Sequence, residues 1–244
     1  MKSMKRNRLT KALKVMALTV VLTLTCGVFA SCGNTHENEG SPKASDDRST
    51  AVQESEDTIT SVDEDITVGS FVITLREDKA PITCKNFKKL VNSGFYDGLT
   101  FHRVVADFMA QGGDPEGNGT GGSGEHIKGE FSNNGVENDL KHVRGTVSMA
   151  RSQEMDSASS QFFICYKDCN DLDGNYAAFG EVSEGMEVVD RFLNCERTLN
   201  KINELASPVY PITITQAEMI SADAEGHERA MFTVEFKEVE NNKA

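Results

Sequence analysis

Histidines, cysteines, serines and glycine runs are the materials from which this 244-residue chain would build a metal centre, a nucleophile or a phosphate cradle. His36, His102, His126, His142 and His227 form no i, i+4 pair and have no Cys partner at zinc spacing, so no metal is expected. Gly112-Gly113 and Gly117-Asn118-Gly119-Thr120-Gly121-Gly122 are followed by no Lys-Ser/Thr step and no opening helix, so a structural loop is expected. Ser148 and Ser160 lack a nucleophile elbow and an acid or base partner close in sequence, which argues against hydrolysis. What is left is non-covalent chemistry. Arg103, in Phe101-His102-Arg103-Val104-Val105, is a permanent cationic donor ahead of the apolar Phe108 and Met109.

The elements that must hold such residues are mostly short strands. Phe71, Ile73 and Leu75 alternate with Val72 and Thr74 in a strand period beginning near Ile66. Cys84, Phe87, Leu90 and Val91 then mark one helical face, with Pro81 suited to the first turn and Gly94 to the stop. Thr100 to Val105, Phe108 to Gln111, Gly145 to Ala150, Gln161 to Tyr166 and Ala177 to Val182 read as strands separated by Gly-rich connections. Met186, Val189, Phe192 and Leu193 read as a second helix, and Pro211 to Ile220 and Ala230 to Val239 as two further strands. Many short strands with Gly-rich turns point to a sandwich or barrel.

The N-terminus is of another kind. Residues 1–31 carry six cations and no acid around the apolar Val15 to Ala30, a stretch too short for the roughly 20 residues of a spanning helix and expected to be a signal peptide. Phe29-Ala30-Ser31-Cys32 resembles a bacterial lipobox, which makes Cys32 the expected lipidation site; cleavage after Ala30 to a free secreted protein is the alternative. From Gly33 to Asp65 ten acids face two bases with no apolar period, so residues 32–65 are expected to be an acidic disordered tether with a reach on the order of 30 Å. The domain proper is expected over 66–222, with an additional strand and tail over 223–244. A formal charge of −13 argues against nucleic acid as a partner. Cys84, Cys165, Cys169 and Cys195 are expected to be buried and unpaired, although outside the cytoplasm such thiols can also pair.

Phe108-Met109-Ala110-Gln111-Gly112-Gly113-Asp114-Pro115 extends the segment around Arg103. Further blocks follow in order: Gly119 to Gly122, Lys128-Gly129-Glu130-Phe131, Leu140-Lys141-His142, Gly145 to Arg151, Ser159 to Ile164, Leu172-Asp173-Gly174, Phe179-Gly180 and Glu184-Gly185-Met186. Their order and spacing over residues 66–220 resemble the cyclophilins, and bacterial lipoprotein members in particular. The resemblance implies a mainly β fold, a closed eight-stranded antiparallel barrel capped by two α-helices. It also implies peptidyl-prolyl cis/trans isomerisation of extended or unfolded proline-containing polypeptides, without a cofactor and as a monomer, on exported proteins at the membrane.

Carried over by motif, Arg103 and Gln111 are the catalytic pair, and Phe108, Met109, Phe163 and Leu172 line the proline socket. Ala150 and Arg151 form the edge along which substrate lies, and His102 belongs to the groove wall. Tyr176 stands where many relatives have histidine. Asp171 stands where eukaryotic members carry the Trp that contacts cyclosporin, so weak drug binding is expected. The segment from Asn194 to Ser207 and the strand after Ile220 depart from the family and are expected to stay clear of the motif residues. Two other function classes compete: a peptide clamp of the same fold with little turnover, and a lipoprotein binding a small solute. A proline-peptide assay separates them.

Overall fold

The computed structural model describes residues 66–239, so the expected signal, Cys32 and the tether lie outside the described residues. The chain opens with β1 (Ile66–Leu75), whose first half alternates in exposure and whose second half is buried on both faces. Helix α1 (Pro81–Asn92) follows, with Pro81 in its first turn and Cys84, Phe87, Leu90 and Val91 on its buried face. Its free N-terminal amides are met by a buried carboxylate from the Lys128-Gly129-Glu130-Phe131 block. Glu130 accepts from the amides of Ile82 (3.0 Å) and Thr83 (2.7 Å) and from the Thr83 hydroxyl (2.7 Å). Gly94, at φ 67°, turns the chain out of the helix.

Eight strands form one antiparallel sheet. They are β1, β2 (Arg103–Val105), β3 (Met109–Gly112), β4 (Thr146–Met149), β5 (Phe162–Cys165), β6 (Ala178–Glu184), β9 (Thr213–Ile220) and β10 (Arg229–Lys237). Their spatial order is β2-β3-β5-β4-β6-β1-β10-β9. The second helix, α2 (Met186–Arg191), continues as a 3-10 turn over Phe192–Asn194. β7 (Arg197–Leu199) and β8 (Leu205–Pro208) pair with each other as a separate hairpin.

Three features differ from the sequence-based expectation. The strand ladder is a half-barrel and not a closed one, with β2 and β9 as its edges. β2 is only three residues long, and it is the irregular chain ahead of it that meets β9: Gly98 N–H donates to Ile214 O (2.7 Å), Ile214 N–H to Leu99 O (2.8 Å), and Phe101 N–H to Ile212 O (2.9 Å). β10, expected beyond the domain boundary, lies inside the sheet between β1 and β9. Its alternation buries Ala230, Phe232, Val234 and Phe236. The segment from Asn194 to Ser207, for which no element was expected, supplies the β7–β8 hairpin.

The main core is aromatic. Phe87 from α1 packs against Phe179, Phe162 and Phe232 with ring centroids 4.9, 5.6 and 5.8 Å away. Each such ring contributes about 1.5–3 kcal/mol by leaving water, and the helix is thereby fixed over the sheet face opposite the candidate site.

Candidate active site

β2 and β3 pair with Arg103 opposite Gln111, and β3 pairs with β5 so that Gln111 lies opposite Phe163 and Met109 opposite Cys165. Directly opposed residues project to the same face, so the register alone puts Arg103, Gln111, Met109 and Phe163 together. Arg103 Nη1 donates to Gln111 Oε1 at 3.3 Å, and its guanidinium carbon stands 5.6 Å from the Phe108 ring centroid. Gln111 in turn donates to Gln161 Oε1 (2.8 Å), and Gln161 to Gly121 O (2.8 Å), which fixes the amide orientations.

These groups open onto a cavity of about 170 Å³ lined by Arg103, Gln111, Phe108, Met109, Ala150, Arg151, Phe163, Leu172 and Tyr176. Every candidate except His102 is in that lining. His102 is half-buried, its two ring nitrogens are enclosed without a hydrogen-bond partner, and burial pushes its pKa down toward the neutral ring. A second, more polar cavity of about 400 Å³ shares Gln111, Ala150 and Arg151 with the first and continues along Gly119–Gly122, Ser159 and Gln161. Together they make a groove with an apolar end and a polar end. Gly113, at φ 80°, allows the turn from β3 into that glycine-rich loop, where a Cβ would meet Ser160 O at 2.6 Å. Asp114 then gathers the loop amides of Glu116, Asn118 and Gly119 at 2.6 to 3.0 Å.

Arg151 is held by Asn175 O, to which Nε and Nη2 donate at 3.0 and 2.8 Å. It lies over the Tyr176 and Phe131 rings at 4.7 and 5.1 Å. Tyr176 meets Phe163 edge-on at 5.9 Å, and both rings wall the 170 Å³ cavity.

Two contacts were not visible in the sequence. Ser148, β4's residue opposite Phe163, lies 2.9 Å from His142 Nε2, and His142 Nδ1 lies 3.0 Å from Asp173 Oδ1. This is a serine–histidine–aspartate order, but Ser148 has no exposure and His142 only 1%, so no acyl carbon can reach the hydroxyl. Burial pushes the His142 pKa down, which keeps the ring neutral between its two partners. The second contact corrects an expectation: the Asn194–Ser207 segment does reach the motif residues. Glu204 at the start of the β8 side of the hairpin accepts from Arg103 Nε at 2.7 Å and from Nη2 at 2.8 Å.

Among the described residues, Asp223, Glu225 and His227 are the only cluster with ligand atoms close enough to share a metal ion. They lie in the β9–β10 turn, where Asp223 already accepts from the His227 amide at 2.7 Å and faces its Nδ1 at 3.1 Å. No helix of the described residues is long and apolar enough to cross a membrane.

A family model described as cyclophilin-type peptidyl-prolyl cis-trans isomerase/CLD matches residues 60–219. The chain belongs to the cyclophilin family. Peptidyl-prolyl cis-trans isomerase A of Dickeya dadantii is 41% identical over 161 residues, covering 62% of this chain and 80% of that protein. The peptidyl-prolyl cis-trans isomerase of Helicobacter pylori is 45% identical over 125 residues, covering 50% and 74%. A crystal structure of a Cryptosporidium parvum cyclophilin-type isomerase, obtained in the presence of the dipeptide Ala-Pro, matches with a TM-score of 0.52 at 32% identity, covering 62% of this chain and 95% of that one. This cyclophilin is thus a peptidyl-prolyl cis-trans isomerase. The matched span ends before β10, although that strand completes the interior of its sheet.

Proposed function

We propose that this cyclophilin isomerises prolyl bonds of extended, exported polypeptides, with Arg103 as the group that stabilises the twisted amide. The observation that carries the reading is the meeting of Arg103 and Gln111 with one small apolar cavity walled by Phe108, Met109, Phe163, Leu172 and Tyr176. The prolyl amide resists rotation because its C–N bond has partial double-bond character, a barrier of about 18–20 kcal/mol, and uncatalysed exchange takes roughly 10–100 s. Catalysis needs no covalent step. As the bond twists, nitrogen loses conjugation and regains a lone pair that can accept a hydrogen bond. A guanidinium N–H beside the ring stabilises that state more than either planar isomer, and each 1.4 kcal/mol of such difference is worth about ten-fold in rate.

The apolar cavity holds the ring while the preceding residue turns. The polar continuation past Gln111 and Ala150 accommodates the extended backbone beside it. The Ala-Pro dipeptide used with the Cryptosporidium parvum relative supports a proline-containing substrate. The test is a proline-peptide isomerisation assay. Arg103→Ala should lower kcat/KM by at least about ten-fold with the circular dichroism of the folded protein retained, and near-normal turnover in a folded variant overturns the assignment.

The setting belongs to the same proposal. The cationic and apolar N-terminus, the lipobox-like Phe29-Ala30-Ser31-Cys32 and the acidic segment after it support a domain tethered outside the cytoplasm by a diacylated Cys32. Palmitate labelling of the wild type and loss of label in Cys32→Ser are expected. A mature N-terminus at Ser31 without label means the protein is secreted free.

A further inference from the structure

The β7–β8 hairpin brings the Glu204 side chain onto Arg103 without lining the cavity itself. Glu204 engages the Nε–Nη2 edge of the guanidinium at 2.7 and 2.8 Å, the two-point geometry that carboxylate and arginine share. The Nη1 end is left beside Gln111 Oε1 and Met109 Sδ, at 3.3 and 4.0 Å. Arg103 lines the 170 Å³ cavity, but no residue of the hairpin does. The carboxylate therefore does not occupy the place of a substrate.

Glu204 is itself fixed. Asn200 Nδ2 donates to Glu204 Oε2 at 3.0 Å, the Glu204 amide donates to Asn200 Oδ1 at 3.0 Å, and the Asn200 amide donates to Glu204 O at 2.8 Å. Asn203 takes a positive φ of 59° to close this turn. The hairpin is in turn docked on the site: Arg197 Nη1 donates to Val104 O at 3.2 Å and Nη2 to Leu193 O at 3.1 Å, while Ala206 has no exposure. Arg103 holds the Glu204 carboxyl below the usual carboxylate range, so the pair is charged at neutral pH.

We propose that Glu204 is a positioning residue for isomerisation, acting through Arg103: it locks the guanidinium plane and presents the Nη1 end to the prolyl nitrogen. This rests on the reading of Arg103 as the stabilising donor. An arginine side chain has several rotatable bonds, and the rotamer freedom that Glu204 removes in advance does not have to be lost at the transition state. Gln111 alone engages one Nη1 hydrogen and leaves rotation about the chain open; the two-point bond closes it.

The test is a double-mutant cycle in the purified protein, reading kcat and KM separately on a proline peptide. Glu204→Ala should lower kcat about five-fold with KM within about two-fold, and should change nothing further when Arg103 is already alanine. Glu204→Asp should recover part of the loss because it keeps the charged acceptor pair. Glu204→Gln should not, because its amide N–H groups would face those of Arg103. Unchanged or faster turnover in Glu204→Ala, a loss confined to KM, or an equal loss on the Arg103→Ala background each overturn the proposal. Near-normal turnover of Arg103→Ala alone sinks the underlying reading of Arg103 instead.

Discussion

β3 and β5 each have two faces, and the two faces lead to different interiors. On one side Ala110, Phe162 and Ile164 join the main aromatic core; on the other Met109, Phe163 and Cys165 form a smaller cluster with half-buried Phe108, Ala150, Leu172 and Tyr176. Phe162 and Phe163 are consecutive and almost equally buried, at 0% and 5% exposure. Their neighbours differ. Phe162 meets Phe87, Tyr96, Phe101 and Phe232 with centroids 5.5 to 5.7 Å away, all of them rings fully enclosed by other core residues. Phe163 meets Tyr176 at 5.9 Å and His142 at 6.1 Å, and its remaining side is the cavity wall. Burial alone therefore does not separate core from site. What separates them is whether the apolar neighbours close around the ring or leave a space the size of a substrate group.

The largest effect that can break this comparison is on stability. Phe162→Ala should cost about 3–5 kcal/mol, the usual range for emptying a closed aromatic core position, with turnover per folded molecule nearly unchanged. Phe163→Ala should cost only about 1–2 kcal/mol, because the space it leaves joins an existing cavity, while kcat/KM falls at least about ten-fold through loss of the socket wall. Urea unfolding and the peptide assay on the same preparations decide it. Equal destabilisation by the two substitutions would make the site face a second closed core, and the distinction would fail.

The same alternation explains how much the sequence disclosed. A period of two places Met109 with Gln111 and Phe163 with Cys165 on one face of their strands, and a tight β2–β3 hairpin brings Arg103 opposite Gln111, but that this face borders a cavity and not a second core was implied only by the resemblance of the motifs. His102 shares the motif but, as the strand neighbour of Arg103, is set apart from the cavity lining. The Arg103–Glu204 pair spans 101 positions, and the hairpin that carries Glu204 has too short a strand on either side to show a hydrophobic period. Likewise β10 announces itself by alternation, but nothing local says which two strands it separates. His142 stands only six positions before Ser148, a partner that the local reading of Ser148 passed over, and Asp173 reaches the ring only because the chain returns beneath the site 31 positions later.

The smaller effect that sharpens the comparison is acid sensitivity, which the site face should have and the aromatic face should not. Beneath Phe163 lies the His142 ring, between Ser148 Oγ and Asp173 Oδ1, with Lys141 paired to the other Asp173 oxygen at 3.2 Å. Burial, the largest influence, lowers the native His142 pKa below its ordinary 6.5, partly opposed by Asp173. Above about pH 6.5 the ring is neutral in both native and unfolded chains and its contribution is fully present. As the pH falls below that value the unfolded chain takes up a proton that the native ring refuses, so stability declines until the native pKa is reached and then levels off. His102, lowered by burial as well, adds a decline of the same sign. The urea midpoint should therefore drop between about pH 7.5 and pH 5.5, a window in which ordinary carboxylates stay ionised. His142→Gln should reduce the drop without abolishing it, whereas Phe162→Leu, on the opposite face of β5, should lower the midpoint at both pH values and leave the size of the drop unchanged. A midpoint that rises on acidification, or an undiminished drop in His142→Gln, would show that the layer beneath the site does not hold its histidine neutral.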